Sequence, residues 1–135
     1  MIVVDTNVVA YLLLGGEKTP VARLVFRKDP VWAAPIVWRS EFRSVLAAYL
    51  REGTLNLLDA LEVMQEAETL LRGAEYSVVS GQVLKLVSES GCSAYDCEFV
   101  ALAQQLGVPL LTSDAEILRE FPQTAMSLEV FAKKR

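Results

Sequence analysis

Four acidic side chains, Asp5, Glu41, Asp96 and Asp114, each lie within or directly after a strongly apolar segment. A buried carboxylate is costly unless it is paired, hydrogen-bonded or bound to a metal. The chain has no histidine, and no basic residue is adjacent to Asp5, Asp96 or Asp114. Carboxylate and water oxygens are the ligands that hard divalent cations prefer. The pattern therefore predicts an all-oxygen site for Mg²⁺, with Mn²⁺ as an alternative, at these four acids.

Each acid taken singly also has an ordinary explanation. Asp5 and Asp114 can be helix N-caps, because aspartate is a common cap after a strand. Asp96 can complement the dipole of its helix. Glu41 lies too far into its helix to be a cap and would need a cross-helix ion pair, which is costly when partly buried. One shared cause is the more economical hypothesis for all four.

Apolar runs that alternate with amphipathic segments predict alternating strands and helices. The predicted strands cover residues 2–4, 31–34, 76–79 and 108–112, with a last edge strand at 126–131. The predicted helices cover residues 6–14, 19–28, 35–51, 55–71, 80–90, 94–106 and 114–121. Strands that are apolar on both faces indicate a parallel sheet covered by helices on each side. We therefore expect an α/β protein, a three-layer α/β/α sandwich with a central parallel sheet, in which residues 1–135 form a single domain.

The predicted elements bring the acids to one edge of this sheet. Asp5 and Asp114 come at the carboxyl ends of two strands, where open sheets of this kind bind ligands. Glu41 shares a face of its helix with Trp38, and Asp96 heads the face that includes Val100. Both faces are apolar, so we expect both helices to turn these acids towards the core.

Composition and charge limit the possible functions. The net charge of −4 argues against non-specific coating of nucleic acid but not against an enzyme with acids in its pocket and bases on its rim. The candidates for such a rim are Arg23, Arg27, Lys28, Arg39, Arg43, Lys133, Lys134 and Arg135. No apolar run reaches the roughly 20 residues of a spanning helix, and Asp5 interrupts the N-terminal apolar stretch, unlike a signal peptide. We expect a cytoplasmic protein without a membrane segment.

Four motifs together resemble those of PIN-domain nucleases, and within them the VapC-type toxins of toxin–antitoxin pairs. They are Asp5-Thr6-Asn7, Ser40-Glu41, the Tyr95-Asp96 helix start and Leu110-Leu111-Thr112-Ser113-Asp114. The resemblance runs from Asp5 to about Phe121. It implies a three-layer α/β/α fold, Mg²⁺ or Mn²⁺ at the acids, endoribonuclease activity on RNA, a homodimer and an antitoxin partner.

The residue types suggest a division of roles within such a site. We expect Asp5 and Asp96 to be the closest metal ligands, with Glu41 and Asp114 completing the site or orienting the nucleophilic water. Hydroxyl and amide side chains beside them are candidates for positioning water or phosphate. These are Thr6, Asn7, Thr112 and Ser113.

Two protein contacts are also expected. The surplus of apolar residues, 53% of the chain, predicts a homodimer closed by helix surface near Leu46, Leu50, Leu57 and Leu61. An active ribonuclease also needs restraint. We hypothesise an antitoxin whose C-terminal segment wraps the helix at Glu41 and places an arginine or other cation among the acids.

Two other functions remain open at this stage. Asp5 at a strand end also suits an aspartyl-phosphate phosphatase or a receiver-like domain, although no second acid follows two places on. A non-catalytic partner-binding domain would explain the apolar surplus. It would not explain Glu41 on an apolar helix face.

Overall fold

A five-stranded parallel sheet lies at the centre of the computed structural model, which describes residues 1–134. Its strands are β1 (Ile2–Val4), β2 (Trp32–Pro35), β3 (Glu75–Tyr76), β4 (Leu110–Leu111) and β5 (Ala125–Met126). They are arranged in the order β3-β2-β1-β4-β5, and every neighbouring pair is parallel. Because β1 is the central strand, the residue that follows it stands at the middle of the sheet's carboxyl edge.

Helices cover both faces of this sheet. They are α1 (Thr6–Leu14), α2 (Thr19–Lys28), α3 (Trp38–Glu52), α4 (Leu57–Leu70), α5 (Ser80–Ser88), α6 (Ala94–Leu106), α7 (Ala115–Glu120) and α8 (Leu128–Lys133). Helix α6 packs against β1, β2 and β4, and α5 packs against α6. Helix α1 packs against β1, and α2, α3 and α4 each contact α1. The predicted three-layer α/β/α sandwich with a central parallel sheet is confirmed.

The core follows from the apolar runs in the sequence. Every side chain of β1 is at most 1% exposed, as expected for a central strand covered on both faces. Helix α6 is buried over most of its circumference, including Cys97, Val100 and Leu102. It ends at Gly107, whose φ of 66° is a left-handed conformation that glycine adopts without steric cost. This buried helix carries Asp96 in its first turn.

The last predicted strand is confirmed as an edge strand, but its extent is wrong. It covers only Ala125–Met126 in place of residues 126–131, and it is followed by α8. Ser127 caps that helix, because its Oγ accepts a hydrogen bond of 3.1 Å from the Val130 amide, and Leu128 is fully buried in its first turn. A local capping bond combined with burial of one apolar face thus favours the helix over the strand.

Other differences concern the ends of elements. Strands β3 and β4 are each two residues long, shorter than the ranges 76–79 and 108–112. The helix expected from residue 35 begins at Trp38, because Pro35 still belongs to β2 and pairs with Tyr76. None of the helices within residues 1–134 is both long enough and apolar enough to cross a membrane.

An arginine fixes α3 to the sheet edge. The Arg39 guanidinium donates two hydrogen bonds of 2.7 Å to the Glu75 carboxylate of β3 and a further one to Glu68 of α4. The Trp38 indole donates to the same Glu75 carboxylate at 2.9 Å. Arg39 is therefore engaged in the fold, contrary to its expected place on a basic rim. Arg23, Arg27 and Arg43 are exposed, and Arg135 lies outside the described residues.

Candidate metal and nucleic-acid site

The four predicted acids line one cavity at the carboxyl edge of the sheet. This cavity, termed the acidic cleft below, has a volume of about 390 Å³. It is lined by Asp5, Thr6, Asn7, Glu41, Ser44, Val45, Asp96 and Asp114. Asp5, Glu41 and Asp96 are half-buried and Asp114 is exposed. Four separate elements of the fold thus deliver one carboxylate each to the same cleft.

Asp5 occupies the N-cap position of α1, but its carboxylate does not form a capping hydrogen bond. Instead, the Thr112 hydroxyl donates a hydrogen bond of 2.8 Å to Asp5 Oδ2. The same Thr112 oxygen accepts a 3.0 Å hydrogen bond from the Asp114 amide. Thr112 has no exposed surface, so one buried hydroxyl connects the ends of β1 and β4.

Glu41 is held in a similar way. The Thr6 hydroxyl of α1 donates a hydrogen bond of 2.7 Å to Glu41 Oε1 of α3, and Thr6 is 4% exposed. No ion pair involves Glu41 within residues 1–134. The cross-helix ion pair that would have explained this acid in ordinary structural terms is therefore absent from the described part of the chain.

The remaining two acids stand at helix starts. The amide of Asp96 donates a 3.1 Å hydrogen bond to Ser93 Oγ, which caps α6, and the Asp96 side chain lines the cleft. Asp114 is itself the N-cap of α7, because its Oδ1 accepts a 3.0 Å hydrogen bond from the Ile117 amide. The capping interpretation thus holds for Asp114, whose second oxygen remains available, and it does not hold for Asp5.

The carboxylates of the cleft repel one another. Burial is the main cause that raises the pKa of Asp5, and the Asp96 charge raises that pKa further against the lowering effect of the Thr112 hydrogen bond. Burial likewise raises the pKa of Glu41, opposed by Thr6 and reinforced by the charges of Asp5, Asp96 and Glu98. Burial raises the pKa of Asp96, opposed by Ser93 and reinforced by Asp114. The cleft therefore concentrates negative charge, and no basic side chain is among its lining residues.

The donor set suits a hard divalent cation. All the charged groups are carboxylates, which Mg²⁺ and Mn²⁺ prefer over the nitrogen and sulfur ligands of zinc. Within residues 1–134, no three acidic or cysteine side chains are gathered closely enough to form a ready-made metal cage. Mg²⁺ is commonly bound by one or two carboxylates together with waters and phosphate oxygens. Carboxylates spread around an open cleft fit that mode of binding.

The polar residues predicted beside the acids differ in their surroundings. Thr6 and Thr112 are buried and hold carboxylates, whereas Asn7 is exposed in the cleft. Ser113 is half-buried, and its hydroxyl oxygen is buried without a hydrogen-bond partner. Ser44 also lines the cleft but was not predicted from the sequence. Its position three residues after Glu41, on the same helix face, is the signal that could have identified it.

The fold and the cleft together define a class of protein. The family model described as the PIN domain matches residues 2–122. The chain belongs to the PIN domain family.

Several individual proteins are similar to this chain. Ribonuclease VapC3 of Pyrobaculum aerophilum is 29% identical over 125 residues, which cover 90% of this chain and 95% of that protein. Among solved structures, PAE2754 from Pyrobaculum aerophilum has a TM-score of 0.74 at 19% identity, covering 96% of this chain and 92% of that one. FitAcB from Neisseria gonorrhoeae has a TM-score of 0.76 at 16% identity, covering 96% and 99%. A toxin–antitoxin complex from Klebsiella pneumoniae has a TM-score of 0.69 at 14% identity, covering 95% and 98%. At these identities the structural likenesses show the fold.

Proposed function

We propose that this protein is a divalent-metal-dependent endoribonuclease of the VapC type and acts as the toxin of a toxin–antitoxin pair. The observation that carries the proposal is the acidic cleft, in which Asp5, Glu41, Asp96 and Asp114 face one another without a basic partner among the lining residues. Membership in the PIN domain family and the similarity to Ribonuclease VapC3 support it. They also favour a nuclease over an aspartyl-phosphate phosphatase, a receiver-like domain or a partner-binding domain.

The chemistry of RNA hydrolysis assigns a role to each group. A bound Mg²⁺ or Mn²⁺ supplies Lewis-acid activation of water and neutralises charge on the phosphate. Asp5 and Asp96 are the proposed principal ligands. Thr112 fixes the orientation of the Asp5 carboxylate through its 2.8 Å hydrogen bond. Glu41, with a raised pKa, and the second oxygen of Asp114 are the groups proposed to hold the attacking water by hydrogen bonds.

Substrate contact falls to the groups that remain accessible in the cleft. The exposed Asn7 amide can donate a hydrogen bond to a phosphate oxygen, whereas the Thr6 and Thr112 hydroxyls already donate hydrogen bonds to carboxylates. Ser113 is not among the lining residues of the cleft, and its hydroxyl oxygen is buried. We propose that Asn7 positions phosphate or water, and that Ser113, expected from the sequence in the same role, does not contact the substrate directly. Thr6 and Thr112 position the acids.

The nuclease assignment is tested with the variants Asp5→Asn and Asp96→Asn. Each is expected to reduce Mg²⁺-dependent cleavage of single-stranded RNA by at least about 100-fold and to weaken Mn²⁺ binding measured by electron paramagnetic resonance. Glu17→Gln, at an exposed position between α1 and α2, removes one carboxylate charge outside the cleft and outside the proposed interfaces, and serves as the control. Full cleavage by purified Asp5→Asn protein would show that the assignment is wrong.

We further propose an antitoxin that binds an apolar groove of about 800 Å³ between α1, α2 and α4, in place of the helix at Glu41 that the sequence suggested. Leu12, Leu13, Phe26 and Leu70 provide its apolar wall, and Glu62 and Glu66 provide acids. An amphipathic helix with basic flanks fits such a groove. The hypothesis that a cation of the antitoxin enters the acidic cleft predicts that inhibition weakens as Mg²⁺ rises. Equal inhibition at all Mg²⁺ concentrations would contradict it.

A homodimer is proposed at the N-terminal end of α4. Leu57, Leu58 and Leu61 are 63%, 71% and 57% exposed, an apolar surface that favours association. Leu50 is 37% exposed, whereas Leu46 is only 5% exposed and packs inside the core. Leu46 is therefore removed from the surface that the sequence had suggested.

A further inference from the structure

A second cavity opens at the same edge of the sheet as the acidic cleft. This side pocket, of about 400 Å³, lies beyond the ends of β2 and β3, and its lining includes Ile36, Tyr76, Val78, Leu84 and Glu98. Its floor is fixed by the backbone, since the Ile36 amide donates a 3.1 Å hydrogen bond to the Tyr76 carbonyl. A volume at the small end of the roughly 300–1,000 Å³ range of ligand pockets suits one planar ring system.

The side pocket adjoins the acidic cleft. Strand β2 lies beside β1 in the sheet, so the end of β2 that opens into the side pocket is next to the end of β1 that carries Asp5. Ile36 lies five residues before Glu41, just ahead of α3. A strand of RNA whose phosphate reached Asp5 and Asp96 would therefore bring a neighbouring nucleotide to the side pocket.

The lining selects the kind of group that can enter. Ile36 and Leu84 are 51% and 63% exposed, and Tyr76 adds an aromatic ring to this apolar wall. Unpaired RNA bases are commonly bound by stacking on such side chains and by hydrogen bonds along the Watson–Crick edge. Glu98 is the one acidic or basic side chain of the lining, and its carboxylate oxygens are hydrogen-bond acceptors. A phosphate is thereby disfavoured, and a base that presents donors is favoured.

We propose that the side pocket binds an unpaired guanine base adjacent to the scissile phosphate, with Glu98 accepting hydrogen bonds from its N1–H and N2–H groups. Guanine presents these two donors side by side, in the spacing of the two carboxylate oxygens. The proposal rests on the function proposed above, because it names a base subsite of the same nuclease. A second copy of the chain is the alternative occupant, but an apolar partner surface would leave the Glu98 carboxylate without a donor.

The test uses single-stranded RNA oligonucleotides that contain one guanosine at successive positions, and the same oligonucleotides with inosine, which lacks the N2 amino group. The wild-type protein is expected to cut at a fixed distance from guanosine, with kcat/KM about 5- to 150-fold lower for inosine. Glu98→Gln is expected to bring the guanosine-to-inosine ratio close to one. Glu52→Gln, the same change at an exposed position of α3, keeps the wild-type ratio. Thermal melts confirm that the variants are folded.

The possible failures are distinguishable. If the wild-type protein cuts RNA but treats guanosine and inosine alike, the base subsite is overturned and the nuclease assignment stands. If it cuts no RNA with Mg²⁺ or Mn²⁺, the proposed function fails and the subsite fails with it. If Leu84→Asp turns a dimer into a monomer in light scattering while the guanosine-to-inosine ratio stays at the wild-type value, the side pocket is an interface between copies. That result also overturns the proposal.

Discussion

Thr112→Val removes one buried hydroxyl at almost constant side-chain volume. This hydroxyl donates to the Asp5 carboxylate at 2.8 Å and accepts from the Asp114 amide at 3.0 Å. A hydrogen bond to a charged group contributes about 1.5–3 kcal/mol, and one between neutral groups contributes about 0.5–1.5 kcal/mol. Because Thr112 has no exposed surface, water does not replace these bonds easily. We expect a loss of about 2–4 kcal/mol in the free energy of unfolding, or roughly 6–16 °C in Tm.

The same substitution changes the cleft. The Thr112 hydrogen bond is the strongest influence that lowers the pKa of Asp5, so its loss raises that pKa further and leaves the carboxylate free to rotate. Cation affinity is therefore expected to fall at pH 7. Urea denaturation measures the stability, and Mn²⁺ titration followed by electron paramagnetic resonance measures the affinity.

Thr112→Ser is the matched control, because it keeps the hydroxyl and removes a methyl group. The serine variant is expected to bind Mn²⁺ like the wild type while losing about 0.5–1.5 kcal/mol from the small cavity it creates. A valine variant with wild-type Mn²⁺ affinity and wild-type stability would refute the role assigned to this hydroxyl.

Three other predictions concern charge and association. The pKa values of Asp5, Glu41 and Asp96 are higher in the folded protein than in the unfolded chain. These groups therefore contribute stability that is present below the unfolded pKa, near 4, and that is lost as pH rises through the folded pKa. Metal-free Asp5→Asn protein should accordingly lose less unfolding free energy than wild type as pH rises above about 4, and an equal or larger loss in urea titrations would contradict this. Arg39→Ala should lower the free energy of unfolding by about 1–2 kcal/mol, a figure reduced because the Arg39 side chain is about one-third exposed. Arg39→Lys should recover only part of that free energy, because lysine cannot form the bidentate pair with Glu75. Leu58→Asp should convert the proposed homodimer to a monomer, as measured by light scattering. A wild-type protein that is already a monomer at tens of micromolar (order of magnitude) would contradict the proposed homodimer.

The sheet could be predicted from sequence because its signals are local. Ile2-Val3-Val4 is apolar at every position, which indicates burial on both faces, and Asp5 marks the end of that run. The shared location of the acids could be predicted because the carboxyl ends of parallel strands meet at one edge of the sheet. Glu41 was the most informative of them in sequence, since a helix that begins at residue 35 places it too far along to be a cap. The structure begins α3 at Trp38 and so puts Glu41 in the first turn, where the helix dipole also favours an acid.

Other features depend on contacts that no local pattern contains. Thr112 reads in sequence as an ordinary β-branched strand residue, and its bond to Asp5 joins positions 107 residues apart. The pairing of Arg39 with Glu75 likewise depends on where β3 lies beside β2. The missed helix α8 has a different cause. Its apolar residues alternate well enough to suggest a strand, and the Ser127 cap decides for the helix.

Two ways of holding a carboxylate occur in this one protein, and the contrast indicates what the cleft is for. Glu75, at the sheet edge, is matched by the Arg39 guanidinium, which lowers the Glu75 pKa and satisfies its charge within the fold. Asp5 and Glu41 are held instead by the neutral hydroxyls of Thr112 and Thr6. A hydroxyl fixes the direction of a carboxylate and leaves its charge uncompensated, whereas a lysine or arginine in its place would compete with any cation. The acids of the cleft are thus oriented at the expense of metal-free stability, as expected of groups whose positive partner comes from outside the chain.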